Sequence, residues 1–189
     1  LSKDVNLAFE NYEPTKAGRL IQKFVVDDLS NWYVRLCRKR FWKGELNEDK
    51  KAAYDTLYLC LKNISLLMSP IAPFYSDRLF KDLTGGNDSV HLSYFPEPIV
   101  GLINADLEHK MDLSQRISSL VLSIRKKEKL KVRQPLSRIL IPSEGDHFEA
   151  AINDVKSLIL SEVNVKELSF IEKNDTILKK KAKANFKVL

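Results

Sequence analysis

Cysteine, histidine and glycine are scarce in this chain, and each scarcity closes off a class of function. Two cysteines among 189 residues, Cys37 and Cys60, cannot build a disulfide framework. Both lie inside helical apolar patterns and suit buried thiols in a reducing compartment, so the expected location is the cytoplasm. The three histidines, His91, His109 and His147, are scattered and give no zinc spacing with either cysteine, so no metal site is expected. Six glycines are too few for a glycine-built phosphate cradle, and no P-loop, GxSxG or HExxH pattern occurs. Adjacent carboxylates such as Asp27 and Asp28 point in different directions on a helix and make no acid–base pair. No catalytic residue is expected. No run of eighteen apolar residues is present, which excludes a transmembrane helix. The chain starts without Met or a signal-type apolar region and reads as a piece of a longer protein.

Against these absences stand an apolar fraction of 44% and 9% aromatic residues, enough to build a packed core. The charge is +6, and its distribution says more than its sum. Residues 1–110 carry 15 basic and 15 acidic side chains, whereas residues 111–189 carry 16 and 10. Most of the excess is concentrated in 116–138, where eight Lys and Arg face Glu128 alone. Such a concentration favours a polyanion, with RNA or DNA first. A solvated helix end, its cations opposite the negative pole of the helix dipole, is the structural alternative.

Apolar spacing predicts a helix over 15–43, opened by Pro14 and stopped at Gly44. A second helix begins at an Asn47 cap and is broken by Ser69-Pro70-Ile71-Ala72-Pro73. A third covers about 73–83, ending at Gly85-Gly86, and 87–101 reads as an irregular strap. A fourth runs from Asn104 to Lys129, with its apolar stripe on Leu107, Met111, Leu113, Ile117, Leu120, Val121 and Ile124. The character changes at Gln134-Pro135. Ile139 to Ile141 and Val165 to Ile171 read as strands flanking one helix, a small unit whose strands the crossover rule makes parallel. The expectation is a mainly α protein, a helix bundle over 1–133 followed by a small mixed α/β subdomain over 134–189. The stretch from Lys179 to Lys183 is basic.

Two basic regions are candidate sites. The first runs through Asn31-Trp32-Tyr33-Val34-Arg35-Leu36-Cys37-Arg38-Lys39-Arg40-Phe41-Trp42. Helical spacing aligns Asn31, Arg35, Arg38 and Trp42, mixing guanidinium groups with an aromatic ring as phosphate contact and base stacking require. Trp32 and Phe41 read instead as core. The candidates are Arg35, Arg38, Lys39, Arg40 and Trp42. The second region offers Arg125, Lys126, Lys127, Lys131 and Arg133.

The run Asp27 to Arg35, closing on Arg38-Lys39-Arg40-Phe41-Trp42, resembles the anticodon-binding domain of the isoleucyl-tRNA synthetases, class I enzymes. Met68 to Asp77, Ser89 to Pro96, Lys131-Val132-Arg133-Gln134-Pro135-Leu136 and Asn164-Val165-Lys166-Glu167-Leu168 agree in the same order, and Ala184 to Leu189 is similar to a stretch of the family's C-terminal region. The resemblance implies a class I synthetase-type anticodon-binding helix bundle with a small α/β part. It implies a parent that joins isoleucine to its tRNA using ATP and Mg, with no cofactor held by this fragment. The family's HIGH and KMSKS motifs are absent here, so the fragment alone is expected to be inactive. The implied partners are tRNA, through the anticodon stem-loop, and the catalytic core of the same chain. No membrane is implied, and a monomer is the default. A valyl or leucyl sibling, and a helical docking module touching RNA only weakly, remain as alternatives.

Overall fold

In a computed structural model the chain is described over residues 1–172, and the calls on Lys179–Lys183 and Ala184–Leu189 lie outside that range. Helices dominate, with a small two-stranded sheet. The chain divides into two compact units, Leu1–Ile103 and Asn104 onward. This division falls earlier than the compositional break at 133/134, because the fourth long helix builds its core with the strands that follow it.

The first unit opens with helix α1 (Ser2–Glu10), which was not expected from the sequence. Its buried side chains are Val5 and Ala8, too short a stripe to announce a helix by periodicity. They join Ala17, Ile21, Leu29, Ile64 and Leu67 in one cluster. Each larger aliphatic member contributes about 1.5–3 kcal/mol of burial.

The predicted long helix starts where expected, with Pro14 in the first turn of α2 (Pro14–Lys23). It then widens into a π-helical stretch, Phe24–Val34. There the ring closes from i to i+5, so every side chain beyond it is rotated out of α-helical phase. At Cys37 the backbone turns (φ −79°, ψ 1°) before a short helix α3 (Arg38–Trp42). Gly44 follows at φ 74°. One continuous helix over 15–43 is therefore corrected to three segments.

Helix α4 (Glu48–Met68) is capped as expected, the Asn47 side chain accepting from the Lys50 N–H at 2.8 Å. Helix α5 (Pro73–Thr84) ends at Gly85 in the left-handed conformation that glycine permits. The strap after it is held by Asp77, whose Oδ1 accepts from the Ser89 hydroxyl at 2.7 Å and the Val90 N–H at 3.0 Å.

In the second unit, helix α6 (Ala105–Lys127) is capped by Asn104, which accepts from the Leu107 N–H at 3.0 Å. Strand β1 (Leu136–Pro142) pairs in parallel with β2 (Val165–Ile171), with Ile139 opposite Leu168 and Ile141 opposite Phe170. Two helices, α7 (Asp146–Asp154) and α8 (Lys156–Val163), make the crossover where one was expected, the break falling at Val155. Parallel strands require such a connection. Ile139, Ile141, Ile152, Val155, Ile159, Val163, Val165 and Leu168 form the core, with Ile117 and Val121 of α6 packed against it.

Candidate nucleic-acid interface

The first basic region lies in the first unit and the second in the other, and each is described in its own unit. In the first region, α3 is locked onto α4 by a small core of Cys37, Phe41 and Ala53. The Tyr33 hydroxyl donates to the Ala53 carbonyl at 3.0 Å, and the Tyr54 hydroxyl to the Phe41 carbonyl at 3.2 Å. The Phe41 ring packs on Tyr54 at 5.0 Å between centroids. Burying Phe41 on one side of so short a helix leaves Arg38, Lys39 and Trp42 exposed, Trp42 by 81%. Trp32 is core, as expected.

Arg40 is committed elsewhere. Its Nε and Nη2 grip both carboxylate oxygens of Asp49 at 2.8 and 2.7 Å, and Nη2 also donates to the Asp49 carbonyl at 2.8 Å. Nη1 reaches Cys37 Sγ at 3.4 Å. The Asp49 carboxylate and the Cys37 sulfur raise the arginine's pKa further. This fork ties α3 to the start of α4, so Arg40 serves the loop's geometry first. Arg35 is exposed before the Cys37 turn and makes its own polar contact, so the straight line from Asn31 to Trp42 is interrupted there.

The second region is built around Arg125. It is 1% exposed, which corrects its placement among solvent-facing cations. Nη1 donates to the Lys131 and Gln134 carbonyls, both at 3.0 Å, and Nη2 to the Asn164 carbonyl at 2.9 Å. Three oriented carbonyls replace the hydration lost at Nη1 and Nη2, while the buried Nε has no hydrogen-bond partner among the described residues.

Periodicity carried a signal for this burial. The residues of α6 that are fully buried are Ser114, Ser118 and Arg125, and half-buried Val121 lies between them at steps of three and four. The predicted stripe is corrected accordingly: Leu107, Leu120 and Ile124 are more than half exposed. Ser114 and Ser118 are small and fully buried, and α6 packs against α8.

The loop after α6 is tied down along its backbone. The Leu130 N–H donates to the Arg125 carbonyl at 2.8 Å and the Lys129 N–H to the Lys126 carbonyl at 3.2 Å, a Schellman-type ending. Asn164, at φ 51°, donates from its side chain to the Val132 carbonyl at 2.8 Å, and its own carbonyl also accepts from the Leu136 N–H at 3.2 Å. With these carbonyls turned inward, Lys126, Lys127, Lys129, Lys131 and Arg133 are exposed and make no ion pair among the described residues. Lys129 sits at φ 57°, in the left-handed position usually given to glycine, where a side chain costs about 1–2 kcal/mol.

Among the described residues no group of three His, Cys, Asp or Glu is placed to hold a metal ion, and no helix is long and apolar enough to cross a membrane.

Residues 1–140 match the family described as the anticodon-binding domain of tRNA ligase. Over its full length the chain is 57% identical to isoleucine–tRNA ligase of Cytophaga hutchinsonii, 51% to that of Porphyromonas gingivalis and 52% to that of Bacteroides fragilis. It spans only 17–18% of the length of these relatives.

Proposed function

Because the chain belongs to the family of tRNA-ligase anticodon-binding domains, we propose that it is the tRNA-binding segment of a cytoplasmic isoleucine–tRNA ligase. In this reading it holds the anticodon stem-loop while a catalytic core elsewhere in the parent activates isoleucine with ATP and Mg. No residue of this chain is assigned to that chemistry. The observation that carries the reading is the family match over residues 1–140, joined to identities of 51–57% across the whole chain.

The chemistry divides between the two surfaces. Lys126, Lys127, Lys131 and Arg133, which have no carboxylate partner among the described residues, suit phosphates of the stem, where contacts orient the RNA without reading sequence. Arg38, Lys39 and Trp42 suit the loop, where an exposed indole stacks on an unpaired base beside cationic groups; Arg35 stands nearby on the preceding turn. Arg40 and Arg125 support these surfaces from within.

Binding of an isoleucine tRNA transcript and of its anticodon stem-loop to the chain tests this. Log affinity should fall linearly with log salt, by roughly 0.7–0.9 per phosphate contact. Binding with no salt dependence, or equal binding of unrelated tRNAs, would overturn it. Charging of isoleucine, valine and leucine by the parent ligase identifies its amino acid.

One observation favours an additional docking role. Ile99, Val100, Leu102 and Ile103 are all more than half exposed. Consecutive apolar side chains in water are costly, and the remainder of a parent about six times longer than this chain is the occupant we assign. A single ligase polypeptide acting as a monomer accommodates both roles.

A further inference from the structure

The loop that follows α6 contains a residue whose backbone and side chain make opposite demands. Lys129 occupies the left-handed position of the helix ending at φ 57°. Glycine takes that conformation without a steric conflict, and the chain uses glycine in the equivalent position after α5, at Gly85, although after α1 it places the exposed Tyr12 there at φ 57°. Asn164, also left-handed at φ 51°, has its side chain bonded to the Val132 carbonyl, so asparagine there has a local reason. The Lys129 side chain has none: it is exposed and makes no hydrogen bond or ion pair among the described residues.

Its neighbours supply the missing reason. Lys126, Lys127, Lys131 and Arg133 are exposed around it, and Glu128 is the one acidic side chain within 116–138. The backbone beneath is hydrogen-bonded to Arg125 and Asn164, and five cations surround the single carboxylate of Glu128, with no ion pair to it among the described residues. Packing like charges onto a rigid loop is unfavourable for the free protein and favourable only against a polyanion.

We propose that Lys129 is a phosphate-contacting residue of the RNA interface, its strained backbone retained because the ammonium group is used in binding. This assignment rests on the tRNA reading above and names a contact within the same surface.

Three variants of the whole chain test it with an isoleucine tRNA transcript as probe. Lys129→Gly and Lys129→Asn both suit the left-handed position and remove the charge. Each should weaken binding by roughly threefold or more near physiological salt, and lower the slope of log affinity against log salt by about 0.7–0.9. The melting temperature of Lys129→Gly should not fall. Lys129→Arg should keep both the affinity and the slope. Wild-type affinity and slope in the Gly and Asn variants would overturn the assignment while leaving the tRNA reading intact. Weakened binding by Lys129→Arg would overturn it too, since charge would then not be the property in use. Failure of the unmodified chain to bind the transcript would overturn the tRNA reading itself, and this assignment with it.

Discussion

Arg125 donates from Nη2 to the carbonyl of Asn164 at 2.9 Å, joining the last turn of α6 to the end of α8 across 39 positions of the chain. With the two bonds from Nη1 it closes the base of the basic loop. Replacing Arg125 with Ala removes three charged hydrogen bonds, leaving the Lys131 and Asn164 carbonyls with only the Gln134 and Leu136 N–H donors and opening a cavity where the guanidinium sat. The second unit should lose about 3–5 kcal/mol, since bonds to a charged group are worth about 1.5–3 kcal/mol each and do not add fully. Arg125→Lys should recover only part, because an ammonium lacks the planar fork. Urea unfolding measures both, and stability equal to wild type in Arg125→Ala would contradict the buried placement.

Asn164 separates backbone from side-chain effects. Asn164→Gly keeps the left-handed geometry and loses one bond, to the Val132 carbonyl, for an expected cost of about 0.5–1.5 kcal/mol. Asn164→Ala loses the bond and adds the steric penalty of the left-handed region, for about 1–2 kcal/mol more. Equal melting curves for the two variants would argue against a role for the positive φ.

Neighbouring residues of α3 should behave oppositely. Arg40→Ala removes the fork on Asp49 and should lower stability by about 1 kcal/mol, the upper end for a pair this exposed, with little change in RNA affinity. Trp42→Ala should leave the melting temperature unchanged and weaken stem-loop binding by about 1–3 kcal/mol if its ring stacks on a base. Parallel thermal melts and binding titrations distinguish them, and a stability loss confined to Trp42→Ala would reverse the assignment.

Asp77 sets an acid limit. Its hydrogen bonds from Lys81 and Ser89 hold its pKa down to about 2, below the roughly 3.9 of an unfolded aspartate. The folded state therefore binds this proton less readily than the unfolded chain. The stabilisation is complete above about pH 4 and is lost as pH falls toward 2. In a melting-temperature profile, Asp77→Asn should be less stable than wild type near pH 6, and the two curves should converge at the acid end. A constant offset down to pH 2 would exclude this linkage.

The parts of the fold legible in the sequence are those decided locally. Asn47 and Asn104 mark helix starts because a side-chain oxygen can satisfy a free N–H wherever a helix begins. Gly44 and Gly85 mark stops because left-handed backbone favours glycine. Short apolar runs at 139–141 and 165–171, joined by a helical crossover, pointed to the parallel pair. Helix α1 is not legible because only Val5 and Ala8 are buried, nor is the π-helical stretch, whose apolar spacing is close to that of an α-helix.

The candidate site divides on the same line. Composition alone located the two basic regions, and local residue type alone marked Trp42 as a stacking surface beside a buried Phe41. Charge counts could not separate Arg125 from Lys126, or Arg40 from Arg38. Those separations depend on which carbonyls and carboxylates the fold brings within 3 Å: Lys131, Gln134 and Asn164 for one arginine, Asp49 for the other. A cation's sign is a property of its side chain, whereas its availability to a phosphate depends on partners brought to it by distant parts of the chain. That is why the sequence by itself determined where the positive charge lies, and only the tertiary structure decided which of those charges hold the protein together and which stand exposed and unpaired among the described residues.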